Sequence, residues 1–140
     1  MVYLDTSAAI PLFIPEPASS AVDAWFEANH VPVVSADWIL AEFASVLSIK
    51  LRSGTINAKQ ARAAWKEFDT FTAVALRLIS VSRSAFRVAA EMTKDATNNL
   101  RAGDSLHLAV ALEAGATDFA TLDRVLADNA KARGLNANRF

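Results

Sequence analysis

The segment Val2-Tyr3-Leu4-Asp5-Thr6-Ser7-Ala8, which follows Met1, gives the clearest indication of the fold. Its first three residues form an apolar run that predicts a short buried β-strand, and Asp5 follows directly after that strand. In open α/β sheets, ligands bind at the carboxyl ends of the strands. The opening stretch therefore predicts an α/β fold with an acidic functional site just after the first strand.

The rest of the chain alternates short apolar runs with segments of helical length. The predicted strands cover 2–4, 31–34, 78–81 and 116–121, with a weak closing edge strand over 135–140. The predicted helices cover 19–29, 36–53, 58–74, 84–96, 104–114 and 123–132. Such alternation predicts a parallel sheet covered by helices. Gly54, Gly115 and Gly134 stand just past helical segments, where glycine commonly ends a helix.

Length and composition restrict the class of protein. The chain has 140 residues, of which 53% are hydrophobic and 21% charged, and this predicts a single globular domain over 1–140. It contains no cysteine, which excludes disulfides, thiolate nucleophiles and sulfur-ligated zinc. A formal net charge of −1 argues against binding nucleic acid through a broadly basic surface, although a local basic patch is compatible with it.

The N-terminal segment lacks the basic and apolar stretches of a secretory signal, since an acid already stands at position 5. No apolar run approaches the roughly 20 residues that a membrane span needs. We therefore expect a soluble, cytoplasmic protein without membrane contact.

Glu42 is the most informative single acid. On the second predicted helix it falls in a stripe of apolar residues, which contains Trp38, Ile39, Val46 and Ile49. An unpaired carboxylate on a buried face is costly, so a cation or an arginine should compensate its charge. The alternative is a glutamate at the edge of the stripe that bends towards solvent.

Three aspartates stand at predicted element boundaries, where a functional and a structural interpretation compete. Asp5 and Asp123 each follow a predicted strand, and Asp104 follows Gly103 at the start of a predicted helix. All three could simply cap turns or helices. Position at strand ends favours a functional role for Asp5 and Asp123. His107, three residues after Asp104, is expected to be packed and hydrogen-bonded rather than a ligand.

These four carboxylates, if they converge, would repel one another unless a cation holds them together. Hard oxygen ligands without cysteine favour Mg²⁺, with Mn²⁺ as a substitute. Asp5 and Asp104 would bind the ion with support from Asp123, and Glu42 would orient or deprotonate a water that attacks a phosphate. The hydroxyls of Thr6 and Ser7 could orient these groups.

A substrate that carries phosphate would also need positive charge at the rim of such an acidic pocket. Arg101 is the nearest candidate by sequence, three residues before Asp104.

Four segments together resemble the PIN-domain ribonucleases, and in particular the VapC-type toxins of bacterial toxin–antitoxin pairs. They are Leu4-Asp5-Thr6-Ser7-Ala8, Ala41-Glu42, Gly103-Asp104-Ser105-Leu106-His107-Leu108-Ala109 and Thr121-Leu122-Asp123-Arg124. The resemblance covers nearly the whole chain. It implies a three-layer α/β/α sandwich with a central, mainly parallel sheet, and it places Asp5, Glu42, Asp104 and Asp123 in the acidic site of the family.

The resemblance further implies a Mg²⁺- or Mn²⁺-dependent endoribonuclease that cleaves RNA, is silenced by a small antitoxin protein and forms a homodimer. A PIN-type RNA-processing nuclease without an antitoxin is one alternative. A second is a phosphotransfer domain in which Asp5 itself is phosphorylated, although dehalogenase-type phosphatases need an aspartate where this chain has Ser7. A third is a non-catalytic binding module whose acids are all caps.

Overall fold

The computed structural model describes residues 1–138 and 140, and its centre is a five-stranded parallel sheet. The strands are β1 (Val2–Leu4), β2 (Val33–Ala36), β3 (Arg77–Ile79), β4 (Asp118–Ala120) and β5 (Asn136–Asn138). They lie in the order β3-β2-β1-β4-β5, so β1 is central and pairs with β2 on one side and β4 on the other. The carboxyl ends of β1 and β4 therefore meet at the same edge of the sheet.

Helices cover both faces of the sheet. They are α1 (Thr6–Ala9), α2 (Ser19–Ala28), α3 (Trp38–Arg52), α4 (Ala58–Val74), α5 (Arg83–Lys94), α6 (Ala102–Glu113) and α7 (Arg124–Ala132). Because side chains alternate along a strand, Tyr3 packs into a core with α5, α6 and α7, whereas Val2 and Leu4 pack into a second core with α3 and α4. The predicted three-layer α/β/α fold with a parallel sheet is confirmed.

Several predicted boundaries differ from the structure. Strand β2 lies two residues later than the predicted 31–34, so the helix predicted from position 36 begins only at Trp38. Helix α1 was not predicted, since four residues are too short to show helical periodicity. The closing strand is present as β5, while position 139 of the predicted 135–140 lies outside the described residues.

The predicted helix stops are confirmed. Gly54, Gly115 and Gly134 have φ angles of 72°, 70° and 86°, a left-handed conformation that side-chain-bearing residues adopt at a cost. Across positions 1–138 and 140, no helix combines the length and the apolar character that crossing a membrane requires.

Candidate metal centre

Asp5 is buried at the carboxyl end of β1, as predicted, and is the N-cap of α1. Its Oδ2 accepts hydrogen bonds from the Ser7 backbone N–H at 3.2 Å, from Ser7 Oγ at 2.5 Å and from Thr121 Oγ1 at 2.9 Å. Thr121 follows β4, so the neighbouring strand helps to fix the carboxylate. The other oxygen, Oδ1, lies 3.7 Å from Nε2 of His107.

Glu42 reaches the same place from α3. Its Oε2 accepts a hydrogen bond from Thr6 Oγ1 at 2.5 Å and lies 2.6 Å from His107 Nε2. Burial opposes ionisation of this carboxyl group, but the hydrogen bond and positive charge of His107, together with Thr6, outweigh it and lower the pKa of Glu42. Glu42 is therefore an ionised carboxylate that is held firmly at one oxygen.

The predicted apolar stripe around Glu42 is only partly correct. The buried face of α3 consists of Ile39, Phe43 and Leu47, whereas Trp38 is 37% exposed and Ile49 is 52% exposed. Glu42 lies at the edge of this face with 26% of its side chain exposed. The carboxylate turns inwards because Thr6 and His107 offer it hydrogen bonds, and no arginine is needed to explain its position.

His107 is packed inside the fold and hydrogen-bonded, as predicted. Only 1% of the residue is exposed, and its Nδ1 lies 2.7 Å from the hydroxyl oxygen of Tyr3. Burial alone would lower the pKa of His107, but the hydrogen bond to Glu42 and the charges of nearby carboxylates raise it. Tyr3 was not recognised as part of the site, because a tyrosine within an apolar strand resembles an ordinary core residue.

One atom from each of Asp5, Glu42 and His107 lies within 4.8 Å of the other two, a spacing that could hold a metal ion. Sequence reasoning anticipated the two acids. The spacing of three residues between Asp104 and His107 also indicated that the histidine could approach the same site, as a packed residue rather than as a ligand.

Asp104 lies in the first turn of α6, where its Oδ2 accepts a hydrogen bond from the Arg101 backbone N–H at 3.3 Å. Burial raises the pKa of this carboxyl group, and the charges of Asp5, Asp123 and Glu42 raise it further against the opposing effect of that hydrogen bond. The other three predicted acids therefore lie close enough to Asp104 to act on it electrostatically.

Asp123 is the most peripheral of the four acids. It is exposed and caps α7, where its Oδ1 accepts the Leu126 backbone N–H at 2.9 Å. It also lines a shallow cavity of ≈ 360 Å³ that contains Ser7 and Leu122. Asp123 can therefore cap α7 and at the same time support the site from its rim.

The sequence model of the PIN domain matches residues 2–132. The chain belongs to the PIN domain family. No curated protein matches the sequence of this PIN domain.

Solved structures similar to this PIN domain cover nearly all of it. VapC20 of Mycobacterium tuberculosis, a sarcin-ricin loop cleaving toxin, is 16% identical over 100% of both chains, with a TM-score of 0.77. FitAcB from Neisseria gonorrhoeae is 18% identical over 98% of this chain and 96% of its own, with a TM-score of 0.72. VapBC2 from Rickettsia felis, bound to a promoter DNA fragment, is 17% identical over 99% and 98%, with a TM-score of 0.69. At these identities the likeness establishes the fold.

An open apolar groove of ≈ 530 Å³ adjoins the acidic site of this PIN domain. It lies between α5 and α6, and its lining includes Trp38, Phe86 and Gly103. A methyl group built on Gly103 would lie 2.6 Å from Glu42 Oε1 and 3.3 Å from Trp38 Nε1. Glycine is therefore required here for the close approach of Glu42 to the start of α6.

Proposed function

We propose that this PIN domain is a metal-dependent endoribonuclease that hydrolyses RNA phosphodiester bonds and serves as the toxin of a toxin–antitoxin pair. The observation that carries the proposal is the meeting of the Asp5 and Glu42 carboxylates at the carboxyl edge of the sheet. The raised pKa of Asp104, which results from burial and then from the other acids, supports a third carboxylate at the same place. Caps of separate helices would not need to interact in this way.

The donor set fits Mg²⁺, with Mn²⁺ as a substitute. Asp5, Glu42 and Asp104 would hold the ion and Asp123 would support it from the rim, and carboxylate oxygens are the ligands that these hard cations prefer. A cation bound there would supply positive charge to the phosphate and lower the pKa of a water. Four neighbouring carboxylates also provide the charge that such an ion neutralises.

The protein side chains would perform the remaining tasks. Thr6 and His107 bind Oε2 of Glu42, so Oε1 would be the oxygen that meets the ion and orients the attacking water. The lowered pKa of Glu42, which the hydrogen bonds of His107, Thr6 and Trp38 maintain against burial, keeps this carboxylate ionised at neutral pH. Ser7 and Thr121 hold the Asp5 carboxylate still. Arg101, exposed at the start of α6, would contact an RNA phosphate.

The remaining parts of the proposal concern partners and location. The likeness to VapC20, a toxin, supports a small antitoxin protein as the partner. Exposed apolar side chains such as Ile49 and Leu51 on α3 support a homodimer. We propose that residues 1–140 act as a single nuclease domain in the cytoplasm.

A cleavage assay with a structured, end-labelled RNA tests the proposed activity. The wild-type protein should cut the RNA in Mg²⁺ and lose this activity in EDTA, and Asp5→Asn should be inactive although folded. Asp69→Asn is the matched control, because it removes an exposed carboxylate from α4 and should cleave like the wild type. Equal cleavage by Asp5→Asn and the wild type would refute the proposal.

A further inference from the structure

Tyr3 and His107 form a buried hydrogen-bonded chain directly behind Glu42. Both residues are almost fully inaccessible to solvent. The chain runs from the Tyr3 hydroxyl to His107 Nδ1 over 2.7 Å, and from His107 Nε2 to Glu42 Oε2 over 2.6 Å. The proposed mechanism uses Glu42 but assigns no role to the two residues behind it.

The position of each proton follows from the hydrogen-bond partners. The Ala36 backbone N–H donates to the Tyr3 hydroxyl oxygen at 3.0 Å. On one side of the imidazole ring, Nδ1 of His107 lies 2.7 Å from this hydroxyl. On the other side, Nε2 lies 2.6 Å from Oε2 of Glu42, and because a carboxylate oxygen only accepts, the proton of this bond is on Nε2. A neutral imidazole with its proton on Nε2 accepts at Nδ1, where the Tyr3 hydroxyl is the donor. A doubly protonated imidazole carries a proton on Nε2 as well.

Nε2 is therefore a donor in either state, and it points at Glu42. A nitrogen that carries a proton has no lone pair for a metal ion. The distance of 3.7 Å between Nε2 and Asp5 Oδ1 would suit a shared ion, but the proton on Nε2 excludes His107 from the ligand set. The ligands that remain in the centre are oxygens.

We propose that Tyr3 and His107 are positioning residues that orient Glu42 through the Nε2–H bond, and that His107 is not a metal ligand. This inference rests on the proposed function. Groups that hold a metal ligand or a catalytic base from behind commonly change metal affinity or activity 10- to 100-fold when they are removed. An all-oxygen centre also selects Mg²⁺ or Mn²⁺ over zinc.

Pulsed electron paramagnetic resonance of the full-length protein loaded with Mn²⁺ tests the ligand assignment. A directly bound imidazole nitrogen couples strongly to the manganese electrons. A nitrogen that only forms a hydrogen bond to a ligand of the metal does not. We expect no directly coordinated nitrogen signal in the wild type. A nitrogen coupling that disappears in His107→Gln would overturn the inference.

Variants test the positioning role. The side-chain amide introduced by His107→Gln can still donate to Glu42, whereas the side chain introduced by His107→Leu cannot. We expect His107→Leu and Tyr3→Phe to lower kcat by about 10- to 100-fold, with His107→Gln at least fivefold more active than His107→Leu. Phe119→Leu is the matched control, because Phe119 stacks on Tyr3 at 5.2 Å between ring centroids without a hydrogen bond in the chain. It should lose stability and keep kcat.

The outcomes for the two proposals are distinguishable. If Asp5→Asn still cleaves RNA, the proposed function is wrong. If Asp5→Asn is inactive but Tyr3→Phe and His107→Leu keep the wild-type kcat, only the positioning role is wrong. Equal losses of kcat in His107→Leu and His107→Gln would also overturn the positioning role. A residue that is needed only for packing would not distinguish a side chain that donates a hydrogen bond to Glu42 from one that cannot.

Discussion

Gly103→Ala should inactivate the protein while leaving its fold almost unchanged. The added methyl group would lie 2.6 Å from Glu42 Oε1, closer than van der Waals contact permits. The atom that must move is the end of a flexible side chain, so the backbone of α6 can stay in place. Glu42 would rotate away from Thr6 and His107, its partners at Oε2.

The expected effect on stability is the difference of two small terms. Alanine in a helix is more favourable than glycine by about 0.5–1 kcal/mol. Weakening the hydrogen bonds of the charged Glu42 costs about 1.5–3 kcal/mol. The net loss should therefore be about 0.5–2.5 kcal/mol, which leaves the protein folded at 25 °C.

The expected effect on activity is much larger. A displacement of about 1 Å at a reacting group can reduce the rate about 100-fold. Single-turnover RNA cleavage measures this loss, and chemical denaturation measures the change in the free energy of unfolding. Glu42→Ala is the reference for a double-mutant cycle, because adding Gly103→Ala to it should cause little further loss if the methyl group acts through Glu42. Wild-type cleavage by Gly103→Ala, or fully additive effects in the cycle, would refute this reasoning.

Three further predictions concern charge, metal and core packing. Burial, and then the neighbouring acids, raise the pKa of Asp104, so ionisation of this carboxyl group destabilises the fold as pH rises. In EDTA at pH 7, Asp104→Asn should therefore melt at a higher temperature than the wild type. The difference in melting temperature should vanish below roughly pH 4, where the carboxyl group is protonated in both the folded and the unfolded state. Mn²⁺ at 100 times its Kd should stabilise the wild type by about 2.7 kcal/mol in scanning calorimetry, and the same concentration should leave Asp5→Asn unshifted. Phe68 stacks on Phe43 with 3.8 Å between the ring centroids, so Phe68→Ala should lower the free energy of unfolding by about 3–5 kcal/mol in chemical denaturation. A decrease below about 1 kcal/mol would contradict this packing.

The sequence predicts the sheet well because a buried strand requires apolar residues at consecutive positions. Buried parallel strands appear as short apolar runs, and the acid immediately after such a run, Asp5, lies at the carboxyl edge of the sheet. The helix stops at Gly54 and Gly115 were equally readable, because a left-handed residue after a helix favours glycine. These features depend on neighbours in the chain.

The parts that the sequence did not predict depend on contacts between distant residues. The hydrogen bond between Tyr3 and His107 joins positions 104 residues apart, and each side chain alone resembles an ordinary core residue. The direction in which the Glu42 side chain points was also ambiguous. Helix periodicity predicts its position around the axis of α3, but it does not predict the hydrogen-bonding groups on α1 and α6 that the side chain meets. Trp38 shows the same limit, since it lines an open groove and not the core.

We propose that carboxylates distant in the sequence bind a cation through oxygen atoms alone. Anomalous diffraction at the manganese absorption edge, from a crystal of the protein soaked in MnCl₂, is the sharpest test of this proposal. We expect an anomalous peak bonded to oxygens of Asp5, Glu42 and Asp104, with His107 Nε2 directed at Glu42 and not bound to the metal. A peak bonded to His107, or no peak among these carboxylates at a concentration that supports RNA cleavage, would contradict it.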